Sequence, residues 1–412
     1  MSVREKTILG IRSFISILRG RVPGQLIIQY TDSCNATCPQ CGMRKTESYR
    51  RSRLAKEEIR RIIDAAARQN IQALSFTGGE PFIYEAELIG LIQYASERGI
   101  PLIRTGTNGY MFMDWESPYF EYKIHRFAEK LSETKLRNFW ISIDSADART
   151  HEQMRGLNGV IKGIEKALPI FHEHGIYPAA NLGINRNTGG AGNISMRMGD
   201  KDEFYLEFKR AFELFYSFVI DLGFTMTNAC YPMSAGGNEG MDLNAVYGAA
   251  SDSSVVTFSK EEKIQIFRAL LDTIPEFRSR IRIFTPTVSL YSLIKQYEGH
   301  EEFALPCRGG IDFFFIGAKD GSTYPCGYRG NENLGKFYEL DIKGINKRPF
   351  CKECDWECFR DPSEQIGFFI ETIRNHTKIS REKDPVYKKL WKQDIRYYNQ
   401  CDYFDGRKAK SF

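Results

Sequence analysis

Three cysteines within eight residues, Cys34, Cys38 and Cys41, constrain this chain of 412 residues more than any other feature. We expect no secretory signal at its start, and tight groups of cysteines in a cytoplasmic protein are typical of metal ligands rather than of disulfides. A 4Fe–4S cluster is normally held by four cysteines, so a triplet would leave one iron with an open position. The amine and carboxylate of an amino acid could fill it. A zinc knuckle or scattered structural cysteines are the alternatives.

Apolar stretches of strand and helix character alternate along most of the chain. The predicted strands cover residues 25–30, 73–77, 102–107, 138–145, 179–185, 223–231 and 281–284. The predicted helices between them cover about 56–69, 85–98, 124–132, 160–174, 204–222 and 260–274. Such alternation indicates an α/β fold in which parallel strands are joined by right-handed crossovers. Ligands of these folds bind where the strands end at their carboxyl side.

Polar residues follow several of these predicted strands. The segment Gly78-Gly79-Glu80-Pro81 comes directly after the second strand, and its glycines would let the backbone approach a ligand closely. Its carbonyls and carboxylate could accept hydrogen bonds from an ammonium group. The other polar residues at strand ends are Thr107, Asn108, Ser142, Asp144 and Asn185. Each is a candidate ligand-binding residue, although Ser, Asp and Asn also favour caps and turns.

The C-x3-C-x2-C spacing, followed about 40 residues later by Gly-Gly-Glu-Pro, resembles the radical S-adenosylmethionine (SAM) enzymes. The resemblance implies a partial (β/α)6 TIM-like barrel over residues 25–290 and a SAM molecule on the open iron of the cluster. SAM would be reductively cleaved to a 5′-deoxyadenosyl radical, which abstracts hydrogen from an unactivated C–H bond. The resemblance further implies that Gly78, Gly79, Glu80 and Pro81 bind the amino group of methionine. The resemblance also implies that Ser142, Asp144 and Arg155 lie near SAM or the substrate. Arg155 is the arginine of the motif His151-x3-Arg155-Gly156.

A second group of cysteines follows the predicted barrel. Cys307 and Cys326 flank the apolar run 313–316 and the turn 319–322, a pattern that predicts a β-hairpin. Cys351, Cys354 and Cys358 follow. Four such thiolates would hold one auxiliary iron–sulfur cluster, and a zinc ribbon is the alternative.

This arrangement resembles the SPASM/twitch extension behind many radical SAM cores. Because one cysteine of the longer two-cluster pattern is missing, the shorter form with one auxiliary 4Fe–4S cluster is favoured. We predict Cys307, Cys326, Cys351 and Cys354 as its ligands, with Cys358 able to replace either of the last two. Cys401 could serve a second auxiliary cluster. A small cysteine-rich β-hairpin/α domain over 300–365 and a helical tail over 366–412 complete the predicted organisation.

The first 24 residues carry apolar residues at helical spacing with basic residues between them, which predicts a basic amphipathic helix. It could pack against the barrel or lie on an anionic membrane surface. A basic run follows the first cysteines, formed by Arg44, Lys45, Arg50, Arg51 and Arg53. We interpret it as a solvated loop or as a contact for an anionic substrate or an acidic electron donor. The glycine- and serine-rich stretches 188–195 and 234–254 are placed to cover a substrate.

The predicted function is hydrogen abstraction from a small metabolite or a lipid, with the auxiliary cluster assisting oxidation or cross-linking. Modification of a ribosomal peptide is the alternative, although the 33 residues before Cys34 are too few for a peptide-recognition domain. A non-catalytic iron–sulfur or zinc protein is a third hypothesis. A net charge of +5 is too small to indicate nucleic-acid binding. We expect a cytoplasmic protein, peripheral to the inner membrane face if the first helix binds lipid, and reduced by a flavodoxin or ferredoxin.

Overall fold

The computed structural model describes residues 17, 20–42, 51–192, 194–195, 198–232, 243–247, 251, 253–345, 348–367, 370 and 383–409. Most of the predicted helix over 1–24 lies outside the described residues. The same holds for Arg44, Lys45 and Arg50, for most of the stretch 234–254, and for part of the tail over 366–412.

One sheet of nine strands organises the described residues. Its strands are β1 (Gly24–Thr31), β2 (Ile71–Gly78), β3 (Leu102–Thr107), β4 (Leu136–Ser142), β5 (Ala179–Gly183), β6 (Met226–Cys230), β7 (Arg282–Ile283), β8 (Phe313–Ile316) and β9 (Thr323–Tyr324). Strands β1 to β7 are parallel neighbours in chain order. Strand β8 pairs in parallel with the free side of β1, and β9 pairs antiparallel with β8. The prediction of an α/β fold with a partial (β/α) barrel is confirmed.

Helices connect the parallel strands and cover the sheet. They are α1 (Lys56–Arg68), α2 (Glu85–Glu97), α3 (Phe120–Glu133), α4 (Ala148–Arg155), α5 (Val160–Glu173), α6 (Lys201–Asp221), α7 (Lys260–Phe277), α8 (Thr287–Tyr297), α9 (Glu357–Pro362) and α10 (Pro385–Gln400). Helix α7 begins with a capping box in which the Ser259 hydroxyl accepts from the Glu262 N–H and the Glu262 carboxylate accepts from the Ser259 N–H. Within the described residues, no helix is long and apolar enough to cross a membrane.

The core lies between the helices and the sheet. Helix α1 buries Ile59, Ile62 and Ile63 on one face, as its helical spacing of apolar residues predicts. Strand β1 is almost wholly buried, because it lies between β2 and β8 in the interior of the sheet. Rings from different elements pack edge-to-face, including Phe82 against Phe127 with centroids 5.2 Å apart.

The C-terminal cysteine-rich segment is joined to the barrel by the β1–β8 ladder and by buried ion pairs. Lys263 of α7 contacts Asp355 at 2.9 Å, and both side chains are almost completely buried. The predicted hairpin between Cys307 and Cys326 is present as β8 and β9. Helix α10 packs on α8, where the carboxylate of Asp394 accepts from the Val288 N–H at 2.8 Å. The segment therefore forms one wall of the barrel.

Candidate active site in the barrel interior

The three cysteines of the first group line one cavity of about 480 Å³, a size typical of small-molecule sites. They lie on the loop that follows β1, and the N–H of Thr37 in this loop donates to the carbonyl of Arg155 at 2.9 Å. Burial raises the pKa of Cys34, and it raises the pKa of Cys38 to about 12. Thiolates at these positions therefore require a cationic partner, which the irons of a cluster would supply. The residues present fit such a group.

The Gly-Gly-Glu-Pro segment lies directly against the start of the cysteine loop. The N–H of Gly79 donates to the carbonyl of Thr31, and the N–H of Glu80 donates to the carbonyl of Ser33, both at 2.8 Å. A Cβ at Gly79 would lie 2.0 Å from the Ser33 carbonyl oxygen, and one at Gly78 would lie equally close to that of Thr31. Both positions therefore require glycine for this close approach of two backbones.

Glu80 connects this segment to the end of β3. Its carboxylate accepts from the backbone N–H of Asn108 at 2.6 Å and from that of Phe82 at 3.1 Å. Burial raises the pKa of Glu80 to about 7, although these two N–H groups oppose the shift. The side-chain amide of Asn108 donates to the Asn35 side chain at 2.9 Å and contacts the sulfur of Cys34 at 3.7 Å. Three segments that the sequence singled out separately thus meet at one point.

A buried ion pair lies beside the cysteine loop. Arg155 contacts Asp144 at 2.8 Å, and Gln40 of the loop donates to the same carboxylate oxygen at 2.6 Å. The backbone N–H of Asp144 donates to Nδ1 of His151 at 3.0 Å. Burial holds the pKa of His151 well below its usual range, so the ring is neutral with its proton on Nε2. These contacts orient Asp144 at the cavity wall.

The structure brings most of the predicted SAM-contact residues to the cavity. Gly78, Gly79, Glu80, Pro81, Thr107, Asn108, Ser142, Asp144 and Arg155 all line it. Asn185 does not. Its amide nitrogen donates to the carbonyls of Asp144 and Gly183, and its oxygen accepts from the Asn187 N–H at 2.7 Å. Asn185 therefore braces the loop behind Asp144, a turn role that its residue type also favours.

Polar side chains of the barrel interior were missed by the sequence reasoning. Arg104, Asn138, Asn181 and Asn228 come from the successive strands β3 to β6, and all line the cavity. The guanidinium of Arg104 donates to the Ser75 hydroxyl at 3.0 Å, and Asn228 donates to Asn181 at 2.6 Å. The signal was present in the sequence, because each of these strands carries at least one Arg or Asn.

The C-terminal segment contributes a second set of groups to the same cavity. The sulfur of Cys358 contacts Glu357 at 3.4 Å, and the other carboxylate oxygen of Glu357 accepts from the Tyr231 N–H at 3.3 Å. Burial raises the pKa of Glu357 to about 7. Cys230, at the end of β6, also lines the cavity, and its sulfur contacts Asn181 at 3.4 Å. The sequence alone could not show that these residues face the barrel.

Four of the later cysteines line a separate, smaller cavity. These are Cys307, Cys326, Cys351 and Cys354. Backbone N–H groups contact two of the sulfurs at 3.4 Å, from Gly309 to Cys307 and from Tyr328 to Cys326. Burial raises the pKa of Cys326 to about 12. The thiols therefore again require a cationic group, and their N–H contacts suit iron–sulfur ligands.

The remaining two cysteines lie elsewhere. Cys358, predicted as a substitute ligand, lines the main cavity and is not among the residues of the smaller one. Cys401 packs among Ala179, Met226 and Phe404 and lines neither cavity. Within the described residues, no three His, Cys, Asp or Glu side chains converge closely enough to hold a single metal ion.

Residues 28–189 match the model of the Radical SAM superfamily. Residues 28–189 therefore form a radical SAM domain, a type of domain whose cofactors are SAM and 4Fe–4S clusters. The chain is 23% identical over 350 residues to "AdoMet-dependent heme synthase" of Methanosarcina barkeri, a similarity that covers 84% of this chain and 87% of that protein. It is 31% identical over 169 residues to "Probable GTP 3',8-cyclase" of Pyrococcus abyssi, where it spans 40% of this chain and half of that protein.

Solved structures share the fold across both the barrel and the C-terminal segment. The structure of native anSMEcpe with bound AdoMet and Cp18Cys peptide has a TM-score of 0.50 and 16% identity, and the match covers 91% of this chain and 96% of that one. Streptococcus suis SuiB bound to S-adenosylmethionine has a TM-score of 0.50 and 14% identity, covering 84% and 71%. The predicted radical SAM domain and its α/β fold are confirmed. The individual ligand residues stay predictions.

Proposed function

We propose that this enzyme abstracts a hydrogen atom from an unactivated C–H bond of a substrate held in the barrel cavity. A 4Fe–4S cluster held by Cys34, Cys38 and Cys41 would supply the electron that cleaves bound SAM to methionine and a 5′-deoxyadenosyl radical. The observation that carries the proposal is that these three thiols share one cavity with Glu80, Asn108 and Arg155.

The residues around the first thiols would bind and orient SAM. The pKa of Glu80, about 7, lies where contact with the ammonium group of methionine would hold the carboxylate ionised. Asn108 would position both the loop, through Asn35, and the end of β3. Gly78 and Gly79 line the same cavity, and their backbone carbonyls could accept from the same ammonium.

We assign one auxiliary 4Fe–4S cluster to Cys307, Cys326, Cys351 and Cys354, with Cys358 outside its ligand set. A role in oxidation or cross-linking of the substrate is supported by the position of this segment. Trp356, Glu357 and Cys358 follow the last of these thiols directly and line the main cavity. Glu357, with a pKa of about 7, could accept a proton from a substrate. The reductant would be a flavodoxin or ferredoxin.

A small metabolite is the favoured substrate class. The cavity volume of about 480 Å³ suits one, and the similarity over most of the chain is to a protein named for heme synthesis. A peptide is the second candidate, because the structure of SuiB bound to its precursor peptide SuiA shares the fold. A lipid substrate depends on the helix over 1–24, which lies outside the described residues.

The test follows 5′-deoxyadenosine by mass spectrometry in anaerobically reconstituted, dithionite-reduced protein supplied with SAM. We expect the triple substitution Cys34→Ala, Cys38→Ala and Cys41→Ala to abolish this product and to leave the auxiliary iron in place. Cys401→Ala, a cysteine outside both cavities, is the control and should retain it. Retained cleavage in the triple variant would refute the proposal. Host soluble extract, host membrane lipids and a synthetic peptide, added separately, would show which substrate class stimulates the reaction.

A further inference from the structure

Among the residues that the structure describes, Arg104 has no carboxylate partner, although it lines the barrel interior. Its Nε donates to the Ser75 hydroxyl at 3.0 Å, and its two terminal nitrogens have no hydrogen-bond partner among the described residues. Two other arginines of the interior are paired with carboxylates, Arg186 with Glu262 at 2.9 Å and Arg155 with Asp144 at 2.8 Å. Burial lowers the pKa of Arg104, and the thiol of Cys358 opposes this effect. The terminal N–H groups of the guanidinium can therefore donate hydrogen bonds to a ligand in the cavity that Arg104 lines.

The acidic groups that line the same cavity are engaged elsewhere. Asp144 binds Arg155, and Glu80 accepts from the N–H groups of Asn108 and Phe82. The other two are Glu357, which accepts from the Tyr231 N–H, and Asp361, which lies 3.3 Å from the Tyr231 hydroxyl. Among the described residues, none of these carboxylates reaches Arg104. As far as the described part of the chain shows, an anion that contacts Arg104 would therefore come with a ligand.

The position of Arg104 defines which part of a ligand it would meet. It lies three residues before Thr107, where β3 ends and the predicted SAM contacts begin, so it sits about 10 Å deeper along the strand. The amides of Asn138, Asn181 and Asn228 line the cavity on the neighbouring strands and offer uncharged donors and acceptors. Trp140 adds an apolar wall. This is a place for one end of an elongated molecule whose other end lies near SAM.

We infer that Arg104 binds an anionic group of the substrate, a carboxylate or a phosphate, through a bidentate contact. The inference rests on the proposed function, because it assumes that the cavity is the substrate site. The inference restricts the proposed substrates to acidic molecules and defines their orientation in the cavity. The anionic end lies deep in the barrel, and the carbon that loses hydrogen lies about 10 Å away, near the carboxyl ends of the strands.

The test measures binding to anaerobically reconstituted holoenzyme with SAM by isothermal titration calorimetry. The probes are 4-phenylbutyrate, phenethyl phosphate and phenethyl alcohol, which share an aromatic ring and differ in the polar end. We expect at least one anionic probe to bind at least tenfold more tightly than the alcohol. The tighter of the two anions identifies the substrate group as a carboxylate or a phosphate. Equal binding of all three probes, or no binding of either anion, would overturn the inference.

Substitutions of Arg104 test whether the preference for an anionic probe depends on its guanidinium. Arg104→Met should remove the preference for the anion, and Arg104→Lys should restore part of it, since a lysine keeps the charge without the fork. Arg126→Met, at an exposed position, is the control and should bind as the unmodified protein does. An unchanged anion preference in Arg104→Met would refute the assignment. Formation of 5′-deoxyadenosine by the unmodified protein is measured on the same sample and separates the two proposals. Cleavage of SAM without binding of an anionic probe refutes only this inference. Binding of an anionic probe without cleavage of SAM refutes only the proposed function.

Discussion

Removal of the buried cation Arg155 should destabilise the protein strongly. Its side chain is 10% exposed, that of its partner Asp144 is 2% exposed, and the two atoms in contact lie 2.8 Å apart. Burial alone would lower the pKa of Arg155, but the charge of Asp144 offsets this and raises the pKa, so the guanidinium stays charged. Arg155→Met would leave a buried carboxylate supported by the amide of Gln40. Losing one partner of such a pair costs about 3–5 kcal/mol.

A double substitution separates the uncompensated charge from lost packing. Asp144→Asn alone would leave a buried arginine unpaired and should also be costly. In the double variant Arg155→Met with Asp144→Asn neither charge remains. We expect its loss of stability to be smaller than the sum of the two single losses by about 2 kcal/mol or more. The measurement is urea unfolding of the anaerobic holoenzyme, followed by circular dichroism and by cluster absorbance.

An exposed ion pair provides the control. Arg126 contacts Glu129 at 2.6 Å, but both side chains are about half exposed, so Arg126→Met should cost about 0–1 kcal/mol. A loss of less than about 1 kcal/mol in Arg155→Met would show that burial does not set the strength of this pair. Strict additivity of the Arg155 and Asp144 substitutions would show that they do not act through their mutual charge.

Three further predictions follow from the two cavities. Burial raises the pKa of Glu80 from 4.5 to about 7, so the folded state binds the carboxyl proton more tightly than the unfolded state does. The free energy of unfolding should therefore fall by about 3 kcal/mol as the pH rises from 4.5 to 7. Glu80→Gln should lack this component, and identical pH profiles for the two proteins would contradict the assignment. Gly79→Ala should destabilise the protein by about 1–3 kcal/mol in urea unfolding and reduce 5′-deoxyadenosine formation, because the new Cβ would meet a backbone oxygen. Gly90→Ala is the control and should have neither effect, because a Cβ at Gly90 would lie in open space. Cys326→Ala should lose about half of roughly eight irons per chain in a chemical iron assay, and Cys358→Ala should keep them all; equal losses would place Cys358 in the ligand set.

The sequence predicts the elements of the barrel because each of them is encoded locally. The spacing of Ile59, Ile62 and Ile63 marks one helix face, and the strand before Gly78 ends in residues that require a close backbone approach. Convergence of Glu80, Asn108 and the cysteine loop also follows from a general rule, since parallel strands present their carboxyl ends at one edge of the sheet.

Other features depend on contacts that no local pattern contains. Cys354 and Cys358 are four residues apart, a spacing that would place both on one face of a continuous helix. Helix α9 begins only at Glu357, so the two thiols face different cavities. Arg104 resembles a strand residue of either face until the register fixes it opposite Ser75, because a shift by one residue reverses the direction of a side chain.

The pairing of β8 with β1 explains how one enzyme can combine the two groups of cysteines. The ladder runs from Gln25 opposite Phe313 to Ile28 opposite Ile316, and β1 leads directly into the loop of Cys34. Cys307 and Cys326 flank β8 and β9, so both cysteine groups are attached to adjacent strands of the same sheet. A backbone ladder is harder to deform than a contact between side chains, because each displacement breaks several hydrogen bonds at once. The wall that carries Glu357 and Cys358 is therefore attached through this ladder to the strand that leads into the loop of Cys34.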